Sequence, residues 1–568
     1  GSSTTIGICY APTRSPGASV AMLPVAVSGH TWAPLNCRST RCRHAAGTTG
    51  GVLGGVRGPA SASAACAAHA SSSAASVHPF AVAGVASASL TVALASAARN
   101  PRLQFGCRRV PLRRHIRAVR AAGTSRTTLR AGPSIAAYVR AEPLRVLFLG
   151  GSGRIGIAAA AHLAMRCAPG AVHLLLAGRD EERGAAALEE LKAEMGGLTN
   201  ATSSFHKLDW TTDGALADLL TELNVDAVLH TAGPFDGDMN AGVLGAAISA
   251  RVPVYVDVAD PMDYIANARA MGERAQASGT MALVSAGAFP GFSNVLAIEC
   301  ARRLCPADNG IEHGAGIKDL DFAYFTAGLG GSGAVNLLIT NLGFGEPVPV
   351  FRDGKYAPQM IAGAESRSVP FFIKDGDAAC DLVGERDVWP WPFPEAGTVA
   401  EHLGISGNSS TGMGTAPGIW NTILVALVAL VPRSLWRERW FSEGLAWFSL
   451  PLVWVTDKFV NETHAIRVEA TASDGRKCVA VQTHRSFRQC VAQSAAEFTL
   501  ALLERRPTSN SSVDGTGASA AEVGNSAWKP GVWLPEELAD DGAWRPELLK
   551  RLSSTEGTVS CDVQVLGR

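Results

Sequence analysis

Between residues 142 and 290, short apolar runs alternate with amphipathic stretches along the chain. The runs read VLFLG, VHLLLAG, DAVLHTA, VPVYVDVA and MALVSAG, and such unbroken runs are typical of strands buried on both faces of a parallel sheet. Most of the stretches between them begin with Asp, a preferred helix N-cap, and continue with helix formers. With a further strand in SSFHKLDW, the pattern predicts six strands alternating with five helices. We therefore expect a doubly wound α/β domain over residues 142–290.

After residue 290 the pattern changes. The segment DLDFAYFTAGLGGSGAVNLLITNL predicts a strand, a glycine loop and a helix, and residues 464–486 predict a β-hairpin that turns at 473–475. These features predict a second, α+β domain over residues 291–506 with a mixed or antiparallel sheet. We expect residues 507–526 to form a polar linker or a surface loop. Residues 527–568 contain apolar positions and are expected to pack back on the fold.

Two uncharged apolar blocks, residues 419–432 and 445–456, are too short to span a bilayer. The favoured interpretation is buried helix or strand. The alternative is an apolar patch that contacts a lipid or membrane surface, with the Trp-bearing segment RSLWRERW as its polar rim. A homodimer interface would also use such a surface.

Residues 1–141 form a leader rich in Ala, Ser, Gly, Thr and Arg that contains no Asp, Glu or Lys. A segment of this composition cannot bury enough apolar surface to fold, so we expect disorder. It is typical of an organellar transit peptide, with the chloroplast favoured and the mitochondrion as the alternative. Within the chloroplast we expect the stroma or the thylakoid and lipid surface. A disordered tail or a mistaken extension of the gene model is the other interpretation.

Charge and cysteine spacing exclude two classes of site. The leader contains 16 of the 50 basic residues and none of the 50 acidic residues. The rest of the chain therefore has 34 basic and 50 acidic residues and carries a net charge of about −16. Such an acidic body does not favour a nucleic-acid partner. The seven cysteines beyond the leader show no metal-ligand spacing, and we expect no metal site.

The first apolar run leads into the turn GGSGRIG, in which Gly151, Gly153 and Gly156 satisfy GxGxxG between a strand and a helix. In the Rossmann unit the first glycine permits the tight turn, the second lets backbone approach a pyrophosphate, and the third lets helix and strand pack closely. The amide groups and dipole of the helix then favour an anion. We therefore predict a dinucleotide phosphate site that also includes Ser152, Arg154 and Ile155.

The second strand ends in Arg179, where an NAD-binding domain usually offers an acid to the ribose 2′-hydroxyl. Arginine presents a planar fork of donors that suits a phosphate. NADP is therefore favoured over NAD. The following Asp180 is either the ribose-binding acid or the N-cap of the next helix, and the cap is favoured because two glutamates follow it.

Further cofactor contacts are predicted where the next two strands end. Asp209 would accept from the adenine amino group, or it is a turn residue. In HTAGPF, Ala232 and Gly233 would let backbone approach the ribose or nicotinamide, and Pro234 fixes the loop. All these strand ends lie at the carboxyl edge of the sheet, where ligands bind in such folds.

The succession GGSGRIG, AGR, LD, HTAGPF, YVDVAD and GAFPGFSN resembles the NADP-binding domain of the saccharopine dehydrogenase-like oxidoreductases. A looser resemblance continues to about residue 545. It implies a Rossmann domain followed by an α+β domain whose mixed sheet often mediates dimerisation. It does not imply that saccharopine is the substrate.

No short-chain dehydrogenase YxxxK pair, GxSxG elbow or HExxH helix is present in the chain. Hydride transfer needs only a placed nicotinamide and a nearby proton donor or acceptor. The candidates are His230, Tyr255 and Asp257 at the strand ends, and Lys318 further on. Each has a structural alternative as a core or turn residue. The second glycine loop, residues 328–333, is either a bend, which is favoured, or a site for a substrate carboxylate.

The sequence therefore predicts an NADP(H)-dependent oxidoreductase that transfers hydride to or from a small carbonyl, imine or activated alkene. The alternative is a non-catalytic NADP(H)-binding protein that associates with lipid through residues 419–456.

Overall fold

The computed structural model describes residues 143–197, 201–233, 235–306, 316–328, 334–506 and 529–567. The predictions made for the leader, for the linker 507–526, for Pro234 and for positions 329–333 of the second glycine loop concern residues outside these ranges.

The first sheet has seven strands, and every described pair in it is parallel. The strands are β1 (Leu144–Leu149), β2 (Val172–Gly178), β3 (Thr202–Lys207), β4 (Ala227–His230), β5 (Val254–Asp257), β6 (Met281–Leu283) and β15 (Gly531–Trp533). Their order is β15-β6-β5-β4-β1-β2-β3, which contains the doubly wound order of a Rossmann sheet. The predicted fold class is confirmed. The expected six strands gain a seventh from the far end of the chain.

Helices connect and cover these strands. They are α1 (Arg154–Arg166), α2 (Glu181–Glu194), α3 (Ala215–Glu222), a 3-10 turn (Phe235–Asp238), α4 (Gly242–Ser249), α5 (Met262–Arg269) and α6 (Gly272–Ser278). The expected count of five was wrong, because the last stretch forms two short helices that break at Met271.

The second sheet has nine strands and is mixed, as predicted. The strands are β7 (Ile317–Ala327), β8 (Phe351–Arg352), β9 (Lys355–Tyr356), β10 (Arg367–Pro370), β11 (Glu385–Pro390), β12 (Ser409–Ala416), β13 (Thr463–Ala472), β14 (Lys477–His484) and β16 (Thr558–Leu566). The main path runs β10-β11-β12-β7-β13-β14-β16, with β12 parallel to β7 and the other described pairs antiparallel. The β13–β14 hairpin is the predicted one.

The second half of the chain also contributes ten helices within the described ranges. They are α7 (Phe292–Leu304), α8 (Ala334–Gly343), α9 (Ala378–Leu382), α10 (Glu395–Leu403), α11 (Gly418–Leu430), α12 (Arg433–Trp436), α13 (Arg439–Asp457), α14 (Phe487–Glu504), α15 (Pro535–Asp540) and α16 (Arg545–Ser553). Helix α7 packs on β13 and β14, so one apolar core continues from the first sheet into the second.

Late segments of the chain return to the first sheet. Helix α14 packs along α1, and β15 pairs with β6. At the α14–α1 contact, the buried carboxylate of Glu497 lies 2.8 Å from His162 Nε2, 2.7 Å from Arg166 Nε and 3.3 Å from Arg551 Nη1. Burial raises the pKa of Glu497, but the bond from His162 and the neighbouring positive charges outweigh this and hold the pKa below its usual value.

The favoured interpretation of residues 419–432 as buried core is wrong. Helix α11 contains no buried residue, because it packs against β12 from outside the apolar cores of the two sheets. Only Ser442, Ala446, Leu450 and Val453 of α13 are buried. Large apolar side chains of both helices face outward, Leu430 and Trp447 each at 62% exposure. No helix among the described residues is long and apolar enough to cross a membrane.

We predict that Glu497→Gln lowers the free energy of unfolding by about 3 kcal/mol, because it leaves buried positive charge without its partner. The loss lies at the lower end of the range for buried pairs, since Arg551 also pairs with Glu504 and Glu547. Denaturant titration followed by circular dichroism measures the change.

The matched control is Glu189→Gln on α2, where Glu189 is 74% exposed and pairs with Lys192. Such a surface pair contributes less than about 0.5 kcal/mol. Equal losses in the two variants would contradict the role given to Glu497.

Candidate functional site

The glycine turn lies at the carboxyl end of the central strand β1. Gly151 N–H donates to Phe148 O at 3.0 Å, and Gly153 N–H donates to Gly150 O at 2.8 Å, which folds the chain back into α1. Gly150 has φ +78°, a conformation that favours glycine. Helix α1 begins from Gly153 with no acidic residue in its first turn. The positive end of this helix is therefore not neutralised by its own side chains.

The turn leaves almost no space for side chains. A Cβ on Gly151 would lie 2.6 Å from Phe148 O, and one on Gly156 would lie 2.5 Å from Gly150 O. A Cβ on Gly150 would lie 2.7 Å from Ala232 N, in the loop that follows β4. The backbone of the turn after β1 therefore lies directly against the backbone of the loop after β4. Gly153 itself is exposed, and the half-buried Ser152, Arg154 and Ile155 flank it.

Two arginines add positive charge beside the turn. Arg488, from α14, donates to the Arg154 carbonyl at 3.3 Å and pairs with Glu194 at 2.7 Å. Burial, and then the charge of Arg488, lower the pKa of Arg154, while Glu462 and Asp457 raise it. Because Arg488, Glu462 and Asp457 all belong to the second half of the chain, that half lies close to the glycine turn.

At the ends of β2 and β3, Arg179 and Asp209 are exposed. Asp180 accepts from Arg183 N at 3.0 Å, so its interpretation as the α2 cap is confirmed. Asp209 Oδ1 accepts from the Thr211 hydroxyl at 2.7 Å and from Thr211 N at 3.1 Å. The hydroxyl bond, then the backbone bond and the charge of Arg179 lower the pKa of Asp209. Asp209 is thus a turn residue close to Arg179, with its carboxylate still open to solvent.

His230 ends β4 and has no exposed surface. Its Nδ1 faces Ala232 N at 3.3 Å, and its ring centroid lies 4.7 Å from that of Phe235. Burial lowers the pKa of His230 to about 3, so the imidazole is neutral. The buried Nε2 has no hydrogen-bond partner. Ala232 is half-buried beside it, and Gly233 is exposed.

Asp257 ends β5 and is fully buried. Its carboxylate accepts from Tyr264 OH at 2.6 Å, Ser285 N at 2.8 Å and Ala259 N at 3.1 Å. Tyr255 OH lies 3.0 Å from Tyr264 OH, so both tyrosines belong to this network. Burial raises the pKa of Asp257 to about 6. The network ties the loops after β5 and β6 together.

The structure does not bring Lys318 to these strand ends. Lys318 is exposed near the start of β7, with its Nζ 3.8 Å from Asp319. Eight residues of extended strand, roughly 26 Å, separate it from Thr326 near the other end of β7.

A buried group that the sequence analysis missed lies where the two sheets meet. Phe289, in the loop after β6, stacks on Tyr324 at 4.4 Å and on His464 at 5.0 Å between centroids. Glu395 accepts from Tyr324 OH at 2.7 Å and from Ser293 Oγ at 2.9 Å. Burial raises the pKa of Glu395 to about 7.

One ring nitrogen of His464, within this group, has no hydrogen-bond partner. His464 Nδ1 lies 3.1 Å from Phe325 O, and its buried Nε2 has no partner. Burial lowers the pKa of His464 to about 3. Glu395, His464 and Tyr324 come from three elements far apart in sequence, and no local motif identifies them. Only Phe289, within GAFPGFSN, carried a sequence signal.

Among the described residues, no group of three or more His, Cys, Asp or Glu is placed to hold a metal ion.

A strand-end glycine turn in a sheet of this order defines the Rossmann class of fold.

Comparison with known proteins finds similarity to solved structures only. No protein-family model matches the chain, and no curated protein matches it. Apo saccharopine dehydrogenase (L-Glu forming) from Saccharomyces cerevisiae is similar with 15% identity and a TM-score of 0.47, over 75% of this chain and 100% of that one. The predicted resemblance to a saccharopine dehydrogenase is confirmed in this sense.

Two further similar structures match only a part of the chain. The leucoanthocyanidin reductase–NADPH complex from Vitis vinifera has 20% identity and a TM-score of 0.18, over 25% of this chain and 48% of that one. UDP-glucose-4-epimerase from Stenotrophomonas maltophila, with bound NAD, has 25% identity and a TM-score of 0.17, over 20% and 36%.

We predict that Asp257→Asn changes how stability depends on pH. The folded pKa of Asp257, about 6, lies above the ordinary value of 3.8, so the folded state binds the proton more tightly. The contribution of Asp257 is fully present below about pH 4 and is lost as the pH rises through 6. Because Asn does not titrate, the variant should gain roughly 3 kcal/mol relative to the parent across this interval.

Melting temperatures measured from pH 4 to 7 test this expectation. Leu229→Ala serves as the control, because it truncates a buried apolar side chain of β4 and removes no titratable group, so it should show a constant difference from the parent. A constant difference for Asp257→Asn as well would show that Asp257 does not titrate in this range.

Proposed function

We propose that this protein is an NADP(H)-dependent oxidoreductase that transfers hydride to or from the carbonyl, imine or activated alkene of a small-molecule substrate. One observation carries the proposal: the glycine turn sits at the topological switch of the parallel sheet. There β1 and β4 are neighbours whose connections run to opposite sides, which is where dinucleotides bind in such sheets. Residues 151–156, Ala232 and Gly233 would hold the pyrophosphate and ribose.

The residues present fit such a group. The start of α1, which has no acidic residue in its first turn, supplies positive potential, and the glycines give the close backbone approach that a diphosphate needs. A bound nicotinamide supplies or accepts the hydride. The chain must then hold or move a proton, and His230, Tyr255 and Asp257 remain the predicted candidates. Glu395, with its near-neutral pKa beside the Phe289 loop, is an added candidate.

NADP rather than NAD is proposed from Arg179. Its side chain is exposed at the end of β2 next to Asp209. Because Asp180 is engaged in capping α2, it is not free to serve as the ribose-binding acid in this conformation.

A second candidate function is a non-catalytic NADP(H)-binding protein that associates with lipid. The outward apolar faces of α11 and α13 favour it. A homodimer remains a prediction, and so does a chloroplast location, which rests on residues 1–141.

For cofactor choice, we expect Arg179→Ala to weaken NADPH binding by about 1–3 kcal/mol through loss of a charge-assisted contact, with little effect on NADH. Fluorescence titration of each cofactor measures both constants. Arg183→Ala is the matched control, since Arg183 is half-buried in the first turn of α2, close to Arg179 in sequence, but pairs with Glu190. Equal losses for NADPH and NADH would refute the phosphate contact.

For the cofactor site itself, Gly153→Val should weaken NADPH binding roughly a hundredfold or more, because several charge-assisted hydrogen bonds would be lost at once. Gly272→Val is the control, since a Cβ at Gly272 meets open space.

NADPH consumption with imine, ketone and enone substrates then separates the two functions. Binding without any turnover, together with sedimentation on vesicles, would favour the non-catalytic candidate.

A further inference from the structure

A cavity of about 210 Å³ lies between the second sheet and the helices α8, α11 and α13. Trp391 and Met413 contribute to it from the sheet side, and Leu424 and Val453 contribute from the helices. For comparison, an apolar cavity of about 150 Å³ is enough to bind benzene or xenon. The space is therefore large enough for an organic ligand.

Polar groups around the cavity are bonded within the protein. Asn421 Nδ2 donates to Thr415 O at 2.8 Å, and Asn341 Nδ2 donates to Ser442 O at 2.9 Å. Trp420 Nε1 donates to Thr456 Oγ1 at 3.2 Å. Among the described residues that line the cavity, Asp457 alone carries a charge. The wall thus matches an uncharged hydrocarbon, to which it offers apolar contact over most of its surface.

One end of the cavity lies toward the glycine turn. Thr326, in the wall, pairs with His464 across β7 and β13, and His464 stacks on Phe289 of the loop after β6. At the same end, the charge of Asp457 acts on the pKa of Arg154. A long ligand can therefore extend from the cavity toward the carboxyl edge of the first sheet.

The other side of the cavity wall faces out of the protein. Trp440, Trp447 and Trp454 recur every seven residues along α13, which puts them on one face, and they are 52–62% exposed. Residues 418–432 and 444–456 contain no charge, and the segment between these two stretches carries three arginines and two glutamates, Arg433, Arg437, Glu438, Arg439 and Glu443. An uncharged face with tryptophans beside a segment of mixed charge matches the interface of a lipid leaflet, with its apolar interior and polar head groups.

We propose that this cavity binds the hydrocarbon chain of an amphiphilic lipid, taken from a membrane leaflet on which the outer faces of α11 and α13 rest. The inference deepens the proposed function and rests on it in one respect, namely that the head group of this lipid is the part brought to the cofactor.

Titration of the purified full chain with dansyl-undecanoic acid, whose emission rises in apolar surroundings, tests the cavity. Leu424→Trp fills the space and should weaken binding about tenfold or more, because lost burial of roughly two methylenes is worth that much. The matched control is Thr422→Trp on the same helix, exposed and outside the cavity wall. Unchanged binding in Leu424→Trp, or no saturable binding by the parent, would overturn the proposal.

Two control measurements distinguish loss of the cavity from misfolding of the variant and from failure of the cofactor site. Dodecanol should displace the probe from the parent protein, whereas butanol should not, and equal displacement by both would overturn a chain-binding cavity. NADPH titration of the same variants should give parent values. Probe binding without NADPH binding would refute the proposed function and leave the cavity assignment standing.

Sedimentation with phosphatidylcholine vesicles, with and without phosphatidylglycerol, tests the membrane as the source. The parent should sediment, and the double variant Trp447→Glu with Trp454→Glu should stay in solution while still binding the probe. Absence of the parent from the vesicle pellet, with self-association in gel filtration instead, would overturn the membrane face in favour of an interface between copies.

Discussion

Backbone contact between two neighbouring strand ends is the constraint on which the site depends. The turn after β1 and the loop after β4 approach so closely that even a methyl group on Gly150 would collide with Ala232. This approach requires parallel strands in register, which align the end of β1 with that of β4, and glycine where the chain turns. It leaves the first turn of α1 facing the crevice with its amide groups and positive potential.

The second half of the chain packs directly against the first sheet and its helices through buried contacts. The Glu497 cluster fixes α14 to α1, and Arg488 reaches the glycine turn from the same helix. The aromatic stack of Phe289, Tyr324 and His464 joins the loop after β6 to the second sheet. A ligand at the carboxyl edge of the first sheet would therefore contact both halves.

The sequence pattern predicted those elements whose structure is determined by residues close together in the chain. The strands β1–β6, the glycine turn and the β13–β14 hairpin each have a signal within a few adjacent residues. Strand β15 was missed because its three residues become a strand only by pairing with β6. The exposure of α11 was misjudged because composition reports apolar content and not location. Glu395 and His464 escaped notice because their burial arises from contacts between distant segments.

The return of β15 to β6 affects how the protein is made. A ribosome synthesises the chain from its amino end, so β6 emerges some 250 residues before its partner Gly531–Trp533. Until then one edge of the nascent sheet exposes its backbone hydrogen-bonding groups, and α1 lacks the cover of α14 for most of that time. The chain must therefore be synthesised through residue 533 before β6 is paired on both sides, and a chain that ends before residue 531 would leave that side of β6 unpaired.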